Sequence, residues 1–449
     1  MRVLFLLEQV DVLDLLEDPD DVNPGVGGTS YLILQLANRL NQHFHTIQDS
    51  SKTISIGCWV RASKVQIYRG IEVINISDEV TSSNDFDIAI ATGGALVALG
   101  AGQIKINTLK LIAWIHHPYD WEKINIAKRL KAEIVSIGSM QYLSNALIGG
   151  RHCRIENIFN SNAIQQCLNS QNNGNIRSTK DPLCINIGYM GALIPSKGFH
   201  TILEQWNEIR GAVEARGKQM RLHVIGGSTL YSYQQSHPEL PCEIEYGTRI
   251  QKMIESQKIG KDIISFYGVM DKRRYDIMAS CDVAIVNPDG YGEAFPATIL
   301  EWLCLGVPTI TSKRFGLSDV GSHLPELCIK QSKEIGGRLS YVLSLDQQQK
   351  NSLQQKCQSV ANLYNSKQSL IVCQWSLLLD AVHSGLLEIP KERKIKRNKR
   401  LSMDEYPRGP VLLQLIQDYL DMQIIRLKNT AKAFLPPRNM LIYSDKQRK

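Results

Sequence analysis

Two carboxylates, Glu293 and Glu301, stand eight positions apart in the stretch GEAFPATILEWLCLGVPTI, Gly292 to Ile310. The first sits in a loop beside Gly292, and the second lies in a segment that reads as a helix beginning near Pro296. Proline suits the first helical position, because its missing N–H would have had no partner there. A helix starting at Pro296 leaves the N–H groups of Ala297 and Thr298 pointing outward at its positive end, a ready site for phosphate. Glu301 then lies about 1.5 Å per residue further along the helix, and Glu293 precedes the phosphate position. A nucleotide-diphosphate sugar matches that layout, with its ribose, phosphates and sugar in line. The plainer reading is an acidic residue favouring the helix dipole and a surface glutamate on an amphipathic helix.

The elements that must hold this stretch alternate between apolar strands and helices. RVLFLL (Arg2–Leu7) predicts a strand, and after a glycine-rich loop TSYLILQLANRL (Thr29–Leu40) predicts an amphipathic helix. TISIGCWV, DFDIAIATGG, LKLIAWIHHP and AEIVSIGS continue the series, the third ending in a histidine pair. A polar stretch at 169–182 interrupts the pattern, which restarts with LCINIGYMG, RLHVIGG, IISFYG and CDVAIVNP. Near-continuous apolar strands between helices imply parallel sheets covered on both faces. The expected fold is α/β, two Rossmann-like doubly wound domains facing across a cleft, with a C-terminal helical extension. Residues 1–168 form the first domain, 169–182 a linker and 183–365 the second domain. A helix over 366–385 returns to the first domain, and 386–449 is a tail. Ligands are expected at the carboxyl ends of the strands and in the cleft.

The 449-residue chain has an ordinary globular composition, 43% hydrophobic and 21% charged. Its net charge of +7 is concentrated in the run from Lys391 to Arg400, where seven of ten residues are Lys or Arg. The rest is close to neutral, which argues against a general nucleic-acid binder. Pro410 to Phe434 predicts an apolar-rich helix after that run. Such a tail suits packing, self-association, or contact with an anionic membrane surface. The ten cysteines form no C-x-x-C pair and show no zinc spacing, so reduced thiols in the cytoplasm are expected, and no metal. No apolar run approaches the length of a spanning helix, and the start carries acidic residues with no small-residue cleavage site. The expected location is cytoplasmic, with peripheral attachment to the inner face of the membrane through the tail.

The order of strand, loop, Glu293, helix, Glu301 and LGVPTI resembles the glycosyltransferase family of glycogen synthases and bacterial phosphatidylinositol mannosyltransferases, with its Glu–seven residues–Glu signature. GALIPSKGFHTILE resembles that family's phosphate loop, VIGG its nucleotide-side loop and ISFYGVM its Phe-x-Gly segment. In the first half, PGVGGTSYLILQLANRL, WIHHPYD and IENIFNSN match in the same order. The likeness spans residues 1–385, with the closer motifs in the second domain. It implies a GT-B fold and a retaining, metal-independent transferase with no cofactor beyond its nucleotide-sugar donor.

Carried over position by position, the resemblance implies that Glu293 binds donor-sugar hydroxyls and Glu301 the ribose hydroxyls. Ala297 and Thr298 would hold the diphosphate through their N–H groups, with Phe295 and Gly191 beside them. Lys197 would neutralise the departing diphosphate, and His116, or His117 in its place, would touch the sugar from the first domain. Gly27 and Gly28 would let the backbone approach the donor or acceptor. The implied acceptor is a carbohydrate or lipid-linked hydroxyl, in cell-surface polysaccharide or glycolipid synthesis.

Two positions depart from the family pattern. Ala192 stands where Arg usually follows the phosphate-loop glycine, and Pro296 stands where glycine is frequent. Lys313, Arg314 or Arg273 are the candidates to restore the missing charge. Other readings on the same architecture are a non-catalytic sugar-nucleotide-binding or assembly protein and a sugar-nucleotide epimerase. GVGGTS lacks the last glycine of G-x-G-x-x-G, which argues against a nicotinamide dehydrogenase.

Overall fold

The computed structural model describes residues 1–8, 13–17, 22–58, 66–76, 86–117, 120–148, 152–171, 181–228 and 237–385. The chain divides into a compact unit, Met1–Ile389, and a second unit, Pro390–Lys449. The basic run and the helix expected over Pro410–Phe434 lie outside the described residues.

The first half builds β1 (Arg2–Leu7), β2 (Thr53–Cys58), β3 (Gln66–Tyr68), β4 (Ile71–Asn75), β5 (Phe86–Ala91), β6 (Thr108–Ile115), β7 (Glu133–Ser136) and β8 (His152–Arg154). They form one sheet in the order β3-β4-β2-β1-β5-β6-β7-β8, parallel except for the edge strand β3. The second half builds β9 (Cys184–Met190), β10 (Gln219–Ile225), β11 (Ile264–Gly268), β12 (Val283–Ile285), β13 (Thr309–Ser312) and β14 (Cys328–Ile329). Their parallel sheet runs β11-β10-β9-β12-β13-β14. Both sheets are doubly wound: the order reverses between β1 and β5 in the first and between β9 and β12 in the second. Crevices at such reversals, outside the carboxyl ends of the strands, are where these folds hold ligands.

The strands are apolar on both faces because helices cover both. All four positions of β7 and of β13 are buried, as are five of six in β1. The first helix runs Gly28–Thr46, longer than the expected Thr29–Leu40. Its buried stripe continues through Phe44, whose ring carries the Lys52 ammonium 5.1 Å from its centroid, so the last turn has packing to hold it. The expected linker is also corrected, since its first three residues complete the helix Ser161–Gln171.

In the second domain the helix Ala297–Cys304 is set by Trp302, which is fully buried over Gly188 of β9. A Cβ at Gly188 would lie 2.2 Å from the indole, so only glycine leaves room there. The helix Gln368–His383 packs on the first domain. Its Trp375 meets Trp114 of β6 edge-on, with ring centroids 5.1 Å apart. Asp380 pairs with Lys52 at 2.7 Å and His383 faces Asp87 at 3.6 Å.

Candidate active site

Chain segments leaving the carboxyl ends of β9 and β12 meet at the reversal of the second sheet. After β9, residues 191–197 form a short loop held from beneath by Tyr189. Its hydroxyl lies 3.3 Å from the Ala192 carbonyl and 3.2 Å from that of Lys197. Burial pushes the Tyr189 phenol well above its ordinary range, so it serves as a permanent donor. Gly191 donates its N–H to Ile225 of β10 at 3.0 Å, and Gly198 turns the chain in the left-handed region at φ +71°. After β12, Asn287 folds the second loop: its side-chain oxygen accepts the Gly290 N–H, and its amide donates to the Tyr291 carbonyl. Asp289 ties the second loop to the helix Phe199–Glu204 that follows the first, accepting the Thr201 hydroxyl at 2.7 Å. Burial holds the Asp289 carboxyl above the usual carboxylate range.

This scaffold brings the Lys197 ammonium onto the Glu293 carboxylate, both side chains about one-fifth exposed (22% each). The Glu293 carbonyl accepts the Gly316 N–H at 2.9 Å, which fixes the backbone under the side chain. Pro296 caps the following helix rather than opening it, and the Ala297 N–H donates to the Phe295 carbonyl at 3.0 Å. That corrects the expectation for Ala297, whose donor is already engaged. The first-turn N–H groups without an intrahelical acceptor are those of Thr298 and Ile299. Phe295 is corrected too: its ring is buried and packs edge-on against Tyr364, which leaves only its backbone near the site.

Glu301 is held differently. Its Oε2 takes the Arg274 Nε at 3.4 Å, and the Arg274 side chain is only 6% exposed. Arg274 Nη1 also donates at 2.6 Å to the carbonyl of Asn23, in the glycine-rich loop of the first domain. Asn23 accepts the N–H groups of Gly25 and Val26 with its own side chain. The glycine that this close approach requires is Gly25, at φ +103°, where a Cβ would lie 2.7 Å from the Met270 carbonyl. Gly28 faces open space, and Gly27 has an ordinary φ of −55°, so steric room does not explain Gly28 and backbone conformation does not explain Gly27.

Across the cleft, β6 ends in the histidine pair. His116 turns into the domain and lies on Trp114, with ring centroids 4.4 Å apart, and its buried Nε2 has no hydrogen-bond partner among the described residues. Burial, aided by His117, pulls its pKa down to about 3. His117 is the outward member. Its pKa is lowered by burial and then by the Lys123 and Lys197 ammonium groups, while Asp120 and Glu293 oppose the shift. The pair Lys197–Glu293 is therefore sensed by His117, the alternative of the two, and its imidazole is neutral at pH 7. The turn is clamped by Gln141, buried on the helix Ser139–Ile148, whose amide donates to the carbonyls of Ile115 (2.8 Å) and His117 (3.0 Å).

Of the cations proposed to stand in for an arginine at Ala192, Arg273 pairs with Asp271 at 2.9 Å on the surface. Lys313 lies beside β14, its N–H donating to the Ile329 carbonyl at 3.1 Å. Arg314 reaches Tyr291, donating to its hydroxyl at 3.0 Å, two residues before Glu293. Arg314 is thus the one placed beside the donor-side loop.

Arg274, Asn23 and Gln141 escaped sequence reasoning. The Asn-Pro-Gly turn at 23–25 was a legible signal for Asn23. Arg274 opens the short helix Arg274–Ser280 with no mark of its burial. Among the described residues, no cluster of three or more His, Cys, Asp or Glu side chains could hold a metal ion, and no helix is long and apolar enough to cross a membrane.

Residues 178–358 match the family described as Glycosyl transferases group 1. No curated protein sequence matches the chain. Among solved structures, the chain is similar in fold to Anabaena HepE in complex with UDP and glucose, at 15% identity and a TM-score of 0.57, over 85% of this chain and all of that one. It is also similar to an E. coli trehalose-6-phosphate structure bound with UDP-2-fluoro glucose (11%, TM-score 0.55, 85% and 99% covered). A trehalose-6-phosphate synthase studied for glycosyl transfer with retention matches at 10% identity and a TM-score of 0.56, over 84% and 99%. These likenesses establish the GT-B architecture of two facing doubly wound domains.

Proposed function

We propose that this chain, a GT-B glycosyltransferase whose residues 178–358 belong to the group 1 glycosyl transferases, moves a sugar with retention from a nucleotide-diphosphate sugar to a hydroxyl acceptor. The observation that carries the reading is the Lys197–Glu293 contact at the strand reversal, with the helix start at Ala297 beside it and Glu301 beyond. When donor enters, the diphosphate competes for Lys197, and Glu293 is released to accept hydroxyls of the sugar. Lys197 and the Thr298 N–H then face the charge that grows on the leaving diphosphate, which a fixed cation and a helix end can stabilise without a metal or cofactor. Neutral His117 approaches the sugar from the first domain as a hydrogen-bond partner for a hydroxyl.

The fold relatives solved with UDP, glucose or UDP-2-fluoro glucose make uridine diphosphate the first nucleotide to try. The acceptor class we favour is a lipid-linked or growing cell-surface saccharide, met at the inner membrane face through the basic tail after residue 385. Purified protein incubated with UDP-, GDP- and ADP-sugars should hydrolyse or transfer at least one donor, and Glu293→Gln should abolish that turnover. Donor binding without turnover, unaltered by Glu293→Gln, would overturn the enzyme reading in favour of a binding protein lacking the cation at Ala192.

A further inference from the structure

A buried arginine ties both domains to Glu301. Arg274 is 5% exposed, and each edge of its guanidinium is engaged. Nε meets Glu301 Oε2 at 3.4 Å, and Nη2 donates to the Tyr275 hydroxyl at 2.7 Å. Nη1 donates to the Asn23 carbonyl at 2.6 Å and to that of Asp271 at 3.2 Å. The donors are spaced by a rigid planar fork, so moving one partner misplaces the others. Asn23 in turn carries the loop whose Gly25 sits on the Met270 carbonyl. The ion pair engages Oε2 only, and Oε1 of Glu301 has no partner among the described residues. A carboxylate fixed through one oxygen can present the other to a hydroxyl in a single orientation.

We infer that Arg274 is a positioning residue: it presents Glu301 to the vicinal hydroxyls of the donor ribose and couples that contact to the seating of the first-domain loop 23–26. The inference rests on the donor-site reading above and adds a selectivity that reading does not require. A nucleotide whose ribose holds Glu301 stabilises the Arg274 geometry that also holds Asn23. Ribose recognition and apposition of the two domains therefore favour one another. A buried strut without this role would affect folding and leave ribose selectivity alone.

The test measures binding of UDP, GDP and ADP, and of their 2′,3′-dideoxy forms, to the full chain by calorimetry, together with amide exchange at Gly25 and Val26. The wild type should favour the best ribose form over its dideoxy analogue by about tenfold or more, the worth of hydrogen bonds to a charged group. Arg274→Met should bring that ratio to within about twofold, and Arg274→Lys should fall between. Exchange at Gly25 and Val26 should slow when a nucleoside diphosphate binds the wild type, quicken in Arg274→Met, and lose its response to nucleotide in Glu301→Gln. Amides of β9 report whether a variant is folded; if Arg274→Met loses their protection, Arg274→Lys carries the comparison. An unchanged ribose ratio in a folded Arg274 variant overturns the positioning role, and unchanged loop exchange overturns the coupling. Should no diphosphate bind the wild type, the donor reading itself is refuted, and the ribose role with it.

Discussion

The Lys197–Glu293 and Arg274–Glu301 pairs lie on the same domain, yet they differ in the cation that makes them and in how deeply that cation is buried. At the loop after β9, a flexible amine meets a carboxylate with both side chains 22% exposed, nearer to the surface pairs that are worth about 0–1 kcal/mol than its counterpart is. In the interior, a planar guanidinium serves a carboxylate, a phenol and backbone carbonyls on both domains. Breaking such a buried pair leaves a charge uncompensated and typically costs about 3–5 kcal/mol. The same charge chemistry thus yields a single ammonium–carboxylate contact in one place and a many-partnered guanidinium in the other, and the burial and planar fork of the arginine make the difference.

The largest expected effect lies on the Lys197–Glu293 pair. Lys197→Ala should lower kcat by about 10²–10³, the loss seen when one stabilising donor is removed from a developing anion. Its melting free energy should stay within about 1 kcal/mol of the wild type, and a greater loss would show that this pair is structural as well. The next effect lies on the Arg274–Glu301 pair. Glu301→Gln should raise the donor KM by about tenfold with kcat nearly unchanged, as removal of uniform binding does. An equal drop in kcat would place Glu301 at the reacting carbon and erase the contrast.

The smallest effect tests the same contrast on the opposite wall, between the exposed His117 and His116, whose Nε2 is buried. In the unfolded chain a histidine gains its proton below about pH 6.5, whereas native His116 stays neutral until about pH 3. The unfolded state therefore binds more protons in that window, and stability falls as pH falls, by at most about 1.4 kcal/mol per unit. Denaturant melts at pH 6.5 and 5.5 should show a smaller loss in His116→Phe than in the wild type. Equal losses would mean that His116 is as open as its neighbour.

Local pattern carried a large part of this molecule. The apolar runs of β1, β7 and β9 stand out from their surroundings, and the polar stretch at 169–182 marks the change from one sheet to the next. The loops and the helix start that carry Lys197, Glu293 and Glu301 were legible from neighbouring residues, whereas the meeting of Lys197 with Glu293, 96 positions away, was not. The first helix overran its expected end because Phe44 extends its buried stripe. Ala297 lost its donor role to a turn at Phe295 that depends on the angles of Pro296. The choice between His116 and His117 was open in the sequence, since adjacent residues leaving a strand point opposite ways and one-residue register decides which faces the cleft.

By itself the sequence determined two parallel-sheet domains, the order of their motifs and a carboxylate on each side of a helix start. Those properties depend on residues near one another in the chain, where periodicity and turn chemistry act directly. Only the tertiary structure decided which histidine senses Lys197, which glycine must be glycine, and that Arg274 spans from Glu301 to Asn23. Arg274 and Asn23 are 251 positions apart, and their contact exists only after both sheets have formed and closed upon each other. No local spacing encodes such a meeting, because it depends on the burial and orientation of whole domains.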